Sequence, residues 1–200
     1  MTLYRNLFLI ISIALCILAT GCSSKNSEFF ILNTAKFSNI QQHKACHNKI
    51  MVERVKIPGY IDKPEIVTRV NLNQLIQAEF HRWGESLSGN ISEVITQNLS
   101  LQLTQDSILT YPRLTTSNIN YYLTFKVNQF DVDSTGLSIL KVSWSIYNHN
   151  RKLMMTRNPT YRSYAHNPNN YVDITSAMNE NITELSSDVA LHLKRLGCTR

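Results

Sequence analysis

Two clusters of residues have the types and spacing to do chemistry. His43, Cys46 and His47 form a His-x-x-Cys-His run, which brings two imidazole nitrogens and a thiolate within reach of one metal ion. A closed zinc site needs four such donors and no fourth stands beside them, so an unliganded polar loop is the expectation here. Asp131 and Asp133 lie two apart, on one face of a strand, where paired carboxylates can divide acid and base roles. They precede the turn residues Ser134-Thr135-Gly136, and read more simply as the solvated end of that strand. The sequence contains no Gly-x-Ser-x-Gly, phosphate loop, Gly-x-Gly-x-x-Gly or His-Glu-x-x-His. The reading is therefore of a non-enzymatic chain with no catalytic residues, no metal and no cofactor. Asn90-Ile91-Ser92, Asn98-Leu99-Ser100 and Asn181-Ile182-Thr183 have the form of glycosylation sequons.

Composition narrows the class further. Two hundred residues make one domain with appendages, and 43% hydrophobic residues with 6 Gly and 5 Pro exclude collagen-like and wholly disordered chains. Twenty Lys+Arg against 14 Asp+Glu give +6, a balance that suits an acidic partner or a membrane surface. Arg151-Lys152 and Lys194-Arg195 are the only adjacent Lys/Arg pairs, too sparse for a nucleic-acid patch.

The N-terminus is the most informative segment. Arg5 precedes a charge-free apolar run from Leu7 to Ala19, too short to span a bilayer and right for a signal-peptide core. The run ends in Leu18-Ala19-Thr20-Gly21-Cys22, which has the form of a bacterial lipobox. Small residues there open the scissile bond to a peptidase, and the Cys22 thiol accepts a diacylglycerol anchor. Residues 1–21 are thus expected to be a lipoprotein signal peptide, 22–28 a lipidated tether and 29–200 the folded domain. Ser23, where Asp would retain the protein at the inner membrane, directs the expectation to the periplasmic face of the outer membrane. Of the four cysteines, Cys16 leaves with the signal and Cys22 is consumed by lipid. In an oxidising compartment the remaining Cys46 and Cys198 are expected to form a disulfide. Two free thiols, or Cys198 as a fourth ligand beside His43, Cys46 and His47, remain the alternatives.

The elements that position these residues follow from periodicity. Glu28 to Leu32 reads as a short strand, Asn33 to Asn48 as loop, and Met51 to Ile57 as a half-buried strand ended by Pro58-Gly59. Ile66–Val70 and Leu75–Trp83 flank Asn71-Leu72-Asn73-Gln74 as a hairpin. Ile91, Val94, Ile95, Leu99 and Leu103 recur at helical spacing over 90–105, with Ser86 or Ser88 as cap. Ile108 to Tyr111 reads as a brief extended piece before Pro112. Strands over 119–132, 137–147 and 153–164 make an antiparallel meander, with a parity shift that predicts a bulge near Asn128. Ile174, Met178, Ile182, Leu185, Val189, Leu193 and Leu196 form one stripe on a long helix, capped by Asn169 or Asn170 and stopped by Gly197. The expected class is α+β: a single domain with a mostly antiparallel sheet and two helices packed against it.

Two blocks carry a family resemblance. Lys56-Ile57-Pro58-Gly59-Tyr60-Ile61-Asp62-Lys63-Pro64-Glu65-Ile66-Val67-Thr68-Arg69 and Ala78-Glu79-Phe80-His81-Arg82-Trp83-Gly84-Glu85-Ser86-Leu87 resemble the paired motifs of the PqiC-like, ABC-type transport auxiliary lipoproteins. Tyr111-Pro112-Arg113, the 122–144 strand pair and the C-terminal helix are similar to further segments of that family, so the likeness covers the whole mature chain. Ile61, Lys63, Gly84 and Ser86 depart from its pattern. The resemblance implies a non-enzymatic outer-membrane lipoprotein, partnering an MCE-domain periplasmic protein (PqiB-like) and an inner-membrane component (PqiA-like). Such an assembly moves lipid across the envelope and supports its integrity; a homo-oligomer fits the same picture. The alternative is a stand-alone periplasmic lipid- or peptide-binding lipoprotein. Tyr60, on a loop stiffened by Pro58 and Pro64, and Asp62, Arg69, Arg82 and Trp83 are the candidate partner-binding residues. Core packing for Trp83 and a cross-strand or local ion pair between Glu79 and Arg82 are the competing readings.

Overall fold

The apolar stripe of the C-terminal segment does fold as one long helix, Tyr171–Leu196, in a computed structural model that describes residues 26–37, 47–111 and 118–197. Asn170 caps it, its side chain accepting from the Val172 amide, and Gly197 ends it at φ 72°. Asp173 in the first turn and Lys194 and Arg195 in the last complement the helix dipole. In chain order the elements are β1 (Glu28–Phe30), β2 (Lys49–Val52), β3 (Glu65–Asn71), β4 (Gln74–Trp83), α1 (Leu87–Gln102), β5 (Ser107–Thr110), β6 (Tyr121–Asp133), β7 (Leu137–Asn148), β8 (Leu153–Arg157), β9 (Thr160–Tyr164) and α2, the helix just described.

The nine strands among the described residues join one sheet in the order β1-β4-β3-β6-β2-β5, with β7 also on β6 and both β8 and β9 on β7. The long ladders, β6 with β7 and β3 with β4, are antiparallel; four short pairings, β1–β4, β2–β5, β2–β6 and β3–β6, are parallel. The domain is α+β as expected, with a sheet that is mixed in detail. The β6–β7 register slips between Val127 and Gln129, so the bulge lies at Asn128, where the apolar parity changes. Gly136 in the following turn has φ 86°, and a Cβ there would meet the Ala165 carbonyl oxygen at 3.2 Å.

Three expected boundaries need correction. The strand expected over 51–57 runs instead over Lys49–Val52. Beyond it the backbone turns to α1: the Val55 amide donates to the Ser92 hydroxyl, and the Ser88 hydroxyl donates to the Val55 carbonyl. Ser88 is thereby occupied, and the helix starts at Leu87 with Ser86 as a cap residue whose side chain makes no capping bond. The strand expected over 153–164 divides into β8 and β9 at Asn158-Pro159, because proline cannot donate to a ladder.

Both helices pack on each other and on the sheet. Ile91, Ile95 and Leu99 of α1 and Ile182, Leu185 and Val189 of α2 share one buried cluster with Leu123, Phe125, Leu140 and Val142. Each such side chain contributes about 1.5–3 kcal/mol on leaving water. Asparagines tie the layers together. Asn90 accepts from the Leu32 amide and donates to its carbonyl, Asn98 accepts from the Ala35 amide, and Asn181 donates to Ser138. All three sequon asparagines are therefore buried structural residues.

Candidate functional site

The best-organised polar cluster centres on Asp131, which the sequence placed at a solvated strand end. The structure corrects this: Asp131 is 1% exposed. The bulge at Asn128 shifts the parity of β6, and β3 then lies parallel to its last residues, with Thr68 opposite Val132 and Arg69 opposite Asp133. Arg69 meets the carboxylate bidentately, Nε to Oδ1 at 3.0 Å and Nη2 to Oδ2 at 2.7 Å. Tyr60 Oη donates to Oδ2 at 2.8 Å and accepts from the Phe130 amide at 3.3 Å, while Gln129 Nε2 donates to Oδ1 at 2.9 Å. Arg69 Nη1 also reaches the Leu72 carbonyl at 3.0 Å, fixing the β3–β4 turn to the same cluster.

The electrostatics agree with the geometry. Burial alone would raise the Asp131 pKa, but the hydrogen bonds from Arg69, Gln129 and Tyr60 outweigh it and hold the group below the ordinary carboxylate range. Burial, then the bond to Asp131, pushes the Tyr60 phenol up to about 12. The hydrogen bond to Asp131 raises Arg69 above its ordinary value. Asp131 is thus an anion with both oxygens engaged, suited to holding β3, β6 and the 58–61 turn together and unsuited to taking a substrate proton. Asp133 turns away to its own loop, accepting from the Thr135 and Leu137 amides.

A second cluster joins α2 to β8 and β9. The Arg157 guanidinium can only donate, so its 2.9 Å contact makes His192 Nε2 an acceptor, and Nδ1 then carries the hydrogen facing the Asp188 carbonyl at 2.8 Å. Tyr161 donates to Asp188 at 2.8 Å, and its phenol is pushed far up by burial and then by that carboxylate. This histidine too is saturated by its neighbours.

The five expected partner-binding residues do not form one patch. Tyr60 and Arg69 line a cleft of about 610 Å³ with Val70, Leu72 and Lys141. Tyr60 is half-buried against the core with its hydroxyl turned inward, which corrects the expectation of an aromatic held clear of the core. Trp83 is buried, as in the packing alternative, and its amide donates to the Pro64 carbonyl at 2.7 Å. Arg82 pairs with Glu65 across β3 and β4 at 3.0 Å, which corrects the expected partner, Glu79. Asp62 is exposed and lines a shallow cleft of about 250 Å³ with Lys63, Pro64, the rim of Trp83 and Glu85. Cys22, His43, Cys46 and Cys198 lie outside the described residues. Sequence reasoning missed Asp131 as the hub, although an acid between Phe130 and Val132 in an apolar strand calls for a buried partner.

A two-helix layer on a curled, mixed nine-stranded sheet, with its buried charges compensated internally, defines a compact α+β domain whose unspent chemistry lies on its surface. The chain belongs to the family of ABC-type transport auxiliary lipoprotein components, whose profile matches residues 32–190. A comparison with curated proteins yields no match. Among solved structures, an uncharacterized protein superposes with a TM-score of 0.71 at 16% identity, covering 84% of this chain and 99% of its own. A Xanthomonas campestris protein of the DUF330 family gives 0.70 at 12% identity, covering 82% and 93%. PelC from Paraburkholderia phytofirmans aligns more loosely, with a TM-score of 0.47 at 10% identity, covering 74% and 92%. No helix among the described residues is long and apolar enough to cross a membrane.

Proposed function

We propose that this protein is the lipoprotein subunit of a trans-envelope lipid-transport system. In this reading residues 1–21 are removed, acylated Cys22 holds the chain to the periplasmic face of the outer membrane, and residues 22–28 tether the 29–200 domain. The domain docks an MCE-type periplasmic protein, which connects to an inner-membrane component. The observation that carries the reading is membership of the transport auxiliary family across most of the chain. The saturation of the Asp131 and His192 clusters by their own neighbours supports a binding role over catalysis. For docking we assign two separate clefts, one lined by Tyr60 and Arg69 and the shallower one by Asp62 and the rim of Trp83, with Arg82, paired to Glu65, as a further contact.

The second reading, a stand-alone lipid- or peptide-binding lipoprotein, rests on a separate cleft of about 490 Å³. Met51, Tyr111 and Tyr122 give it apolar surface, and Arg54, Lys56 and Arg151 a cationic rim. Arg151 lies 3.5 Å over the Tyr122 ring and pairs with Glu53. Detergent extraction of the tagged, acylated protein followed by mass spectrometry separates the two. Retention of an MCE-domain protein supports the first reading; bound lipid or peptide without that partner supports the second and refutes the first.

A further inference from the structure

We infer that the β3–β4 turn is a lipid-surface contact, and that Leu72 at its apex enters the interface of the membrane to which the chain is anchored. The inference rests on the reading of Cys22 as the acylated residue and adds to it an orientation. Leu72 is 89% exposed, the most of any large apolar side chain among the described residues, with Val70 and Ile76 also exposed on the two strands beside it. The turn is nevertheless built firmly. The Asn71 side chain accepts from the Asn73 amide and donates to Gln74, and Arg69 ties the Leu72 carbonyl to the buried Asp131. A rigid turn with one leucine at its tip and amides on its flanks matches the gradient from acyl chain to headgroup. It is too small for a stable protein interface, which buries about 800 Å² per partner.

Chain direction supplies the reason for choosing a membrane. β1 is parallel to β4, with Glu28 beside His81 and Phe30 beside Trp83. Traced backwards from Glu28, the chain therefore leaves toward the start of β4, which is the β3–β4 turn. His81 stands seven residues from Gln74, about 24 Å at the rise of an antiparallel strand. Six residues separate Glu28 from Cys22, a reach of at most about 20 Å. The two lengths are comparable, so the anchor and the turn can meet the same surface when β4 is inclined to it. The β6–β7 turn lies at this end too, because β3 and β6 are parallel there, and exposed Tyr164 pairs with Leu137 beside it. Leu153, also exposed, pairs with Tyr147 at the far end of β7 and serves as the control position.

The test uses the full acylated protein in vesicles of phosphatidylethanolamine and phosphatidylglycerol, with lipids brominated at shallow acyl positions. Leu72→Trp and Leu153→Trp are compared with the parent, whose Trp83 and Trp144 are buried and supply the background. Emission from residue 72 is expected to shift to the blue and to be quenched several-fold more than emission from residue 153. Equal or absent quenching at 72, in protein whose Cys22 is shown by mass spectrometry to carry its acyl chains, overturns this inference alone. A blue shift without bromine quenching means that a protein surface covers the turn, and also overturns it. Absence of acyl chains on Cys22 overturns the anchoring reading together with it.

Discussion

Arg69→Ala should be among the most damaging single changes outside the apolar core. Among the described residues it removes two of the four hydrogen bonds to Asp131 and the one cation among its partners, leaving a carboxylate that is 1% exposed with Tyr60 and Gln129 as neutral donors. Breaking a buried ion pair from one side costs about 3–5 kcal/mol. The lower figure applies here, because two donors remain and the Arg69 side chain is 20% exposed. For a domain of this size about 3 kcal/mol lowers Tm by roughly 6–12 °C. Urea unfolding of the acylated protein in detergent measures the loss directly, and its pH dependence tests the cause. In the parent the Asp131 pKa is depressed, so its contribution to stability is present above the ordinary carboxylate range and is lost as pH falls through the folded value. In Arg69→Ala burial dominates, the folded pKa rises above the unfolded one, and protonation relieves the penalty. The stability gap between the two proteins should therefore narrow from pH 7 to pH 4. A gap below about 1 kcal/mol at pH 7, or one that does not change with pH, would refute the assignment of Asp131 as a buried, Arg69-compensated anion.

Other substitutions test the remaining assignments. Tyr60→Phe keeps the ring but leaves the Phe130 amide and one Asp131 oxygen short of a partner, so a loss of about 1–3 kcal/mol in urea unfolding is expected. The parent should also lose stability from pH 10 upward, as the unfolded phenol ionises before the folded one near 12; a flat profile there would contradict the inward hydroxyl. Asn90→Ala strips both bonds from the Leu32 backbone, and accelerated amide exchange at Leu32 is the expected readout. Cys22→Ser should leave an uncleaved precursor or a soluble protein, and normal processing with unchanged outer-membrane fractionation would sink the lipobox reading. Non-reducing mass spectrometry of the mature chain should find Cys46 and Cys198 unavailable to alkylation, whereas two labelled thiols would exclude the bridge.

Helices and turns were legible from the amino-acid order because their causes are local. The 3.6-residue stripe from Ile174 to Leu196, the Asn170 cap and the Gly197 stop all act within a few residues of one another. The hairpin at Asn71–Gln74 and the bulge at Asn128 likewise follow from turn residues and from strand parity. The lipobox expected at the N-terminus is likewise a linear pattern, of the kind a peptidase reads before any fold exists. Membership of the family was also visible in the blocks around Tyr60 and Trp83, because short motifs survive as strings. What the sequence could not disclose depends on parallel neighbours far apart in the chain. Nothing near Asp131 announces that β3 will lie beside β6 and deliver Arg69, 62 residues away, to its carboxylate. The same holds for Tyr60, whose prolines marked a stiff loop while tertiary packing decided that its hydroxyl turns inward. Exposure of Leu72, and its position at the end toward which the start of β1 points, likewise came only with the tertiary structure. Local order fixes period, caps and turns through short-range sterics and hydrogen bonds. Which charge is buried, and which apolar side chain is left in water, is decided by the packing of strands that the sequence keeps far apart.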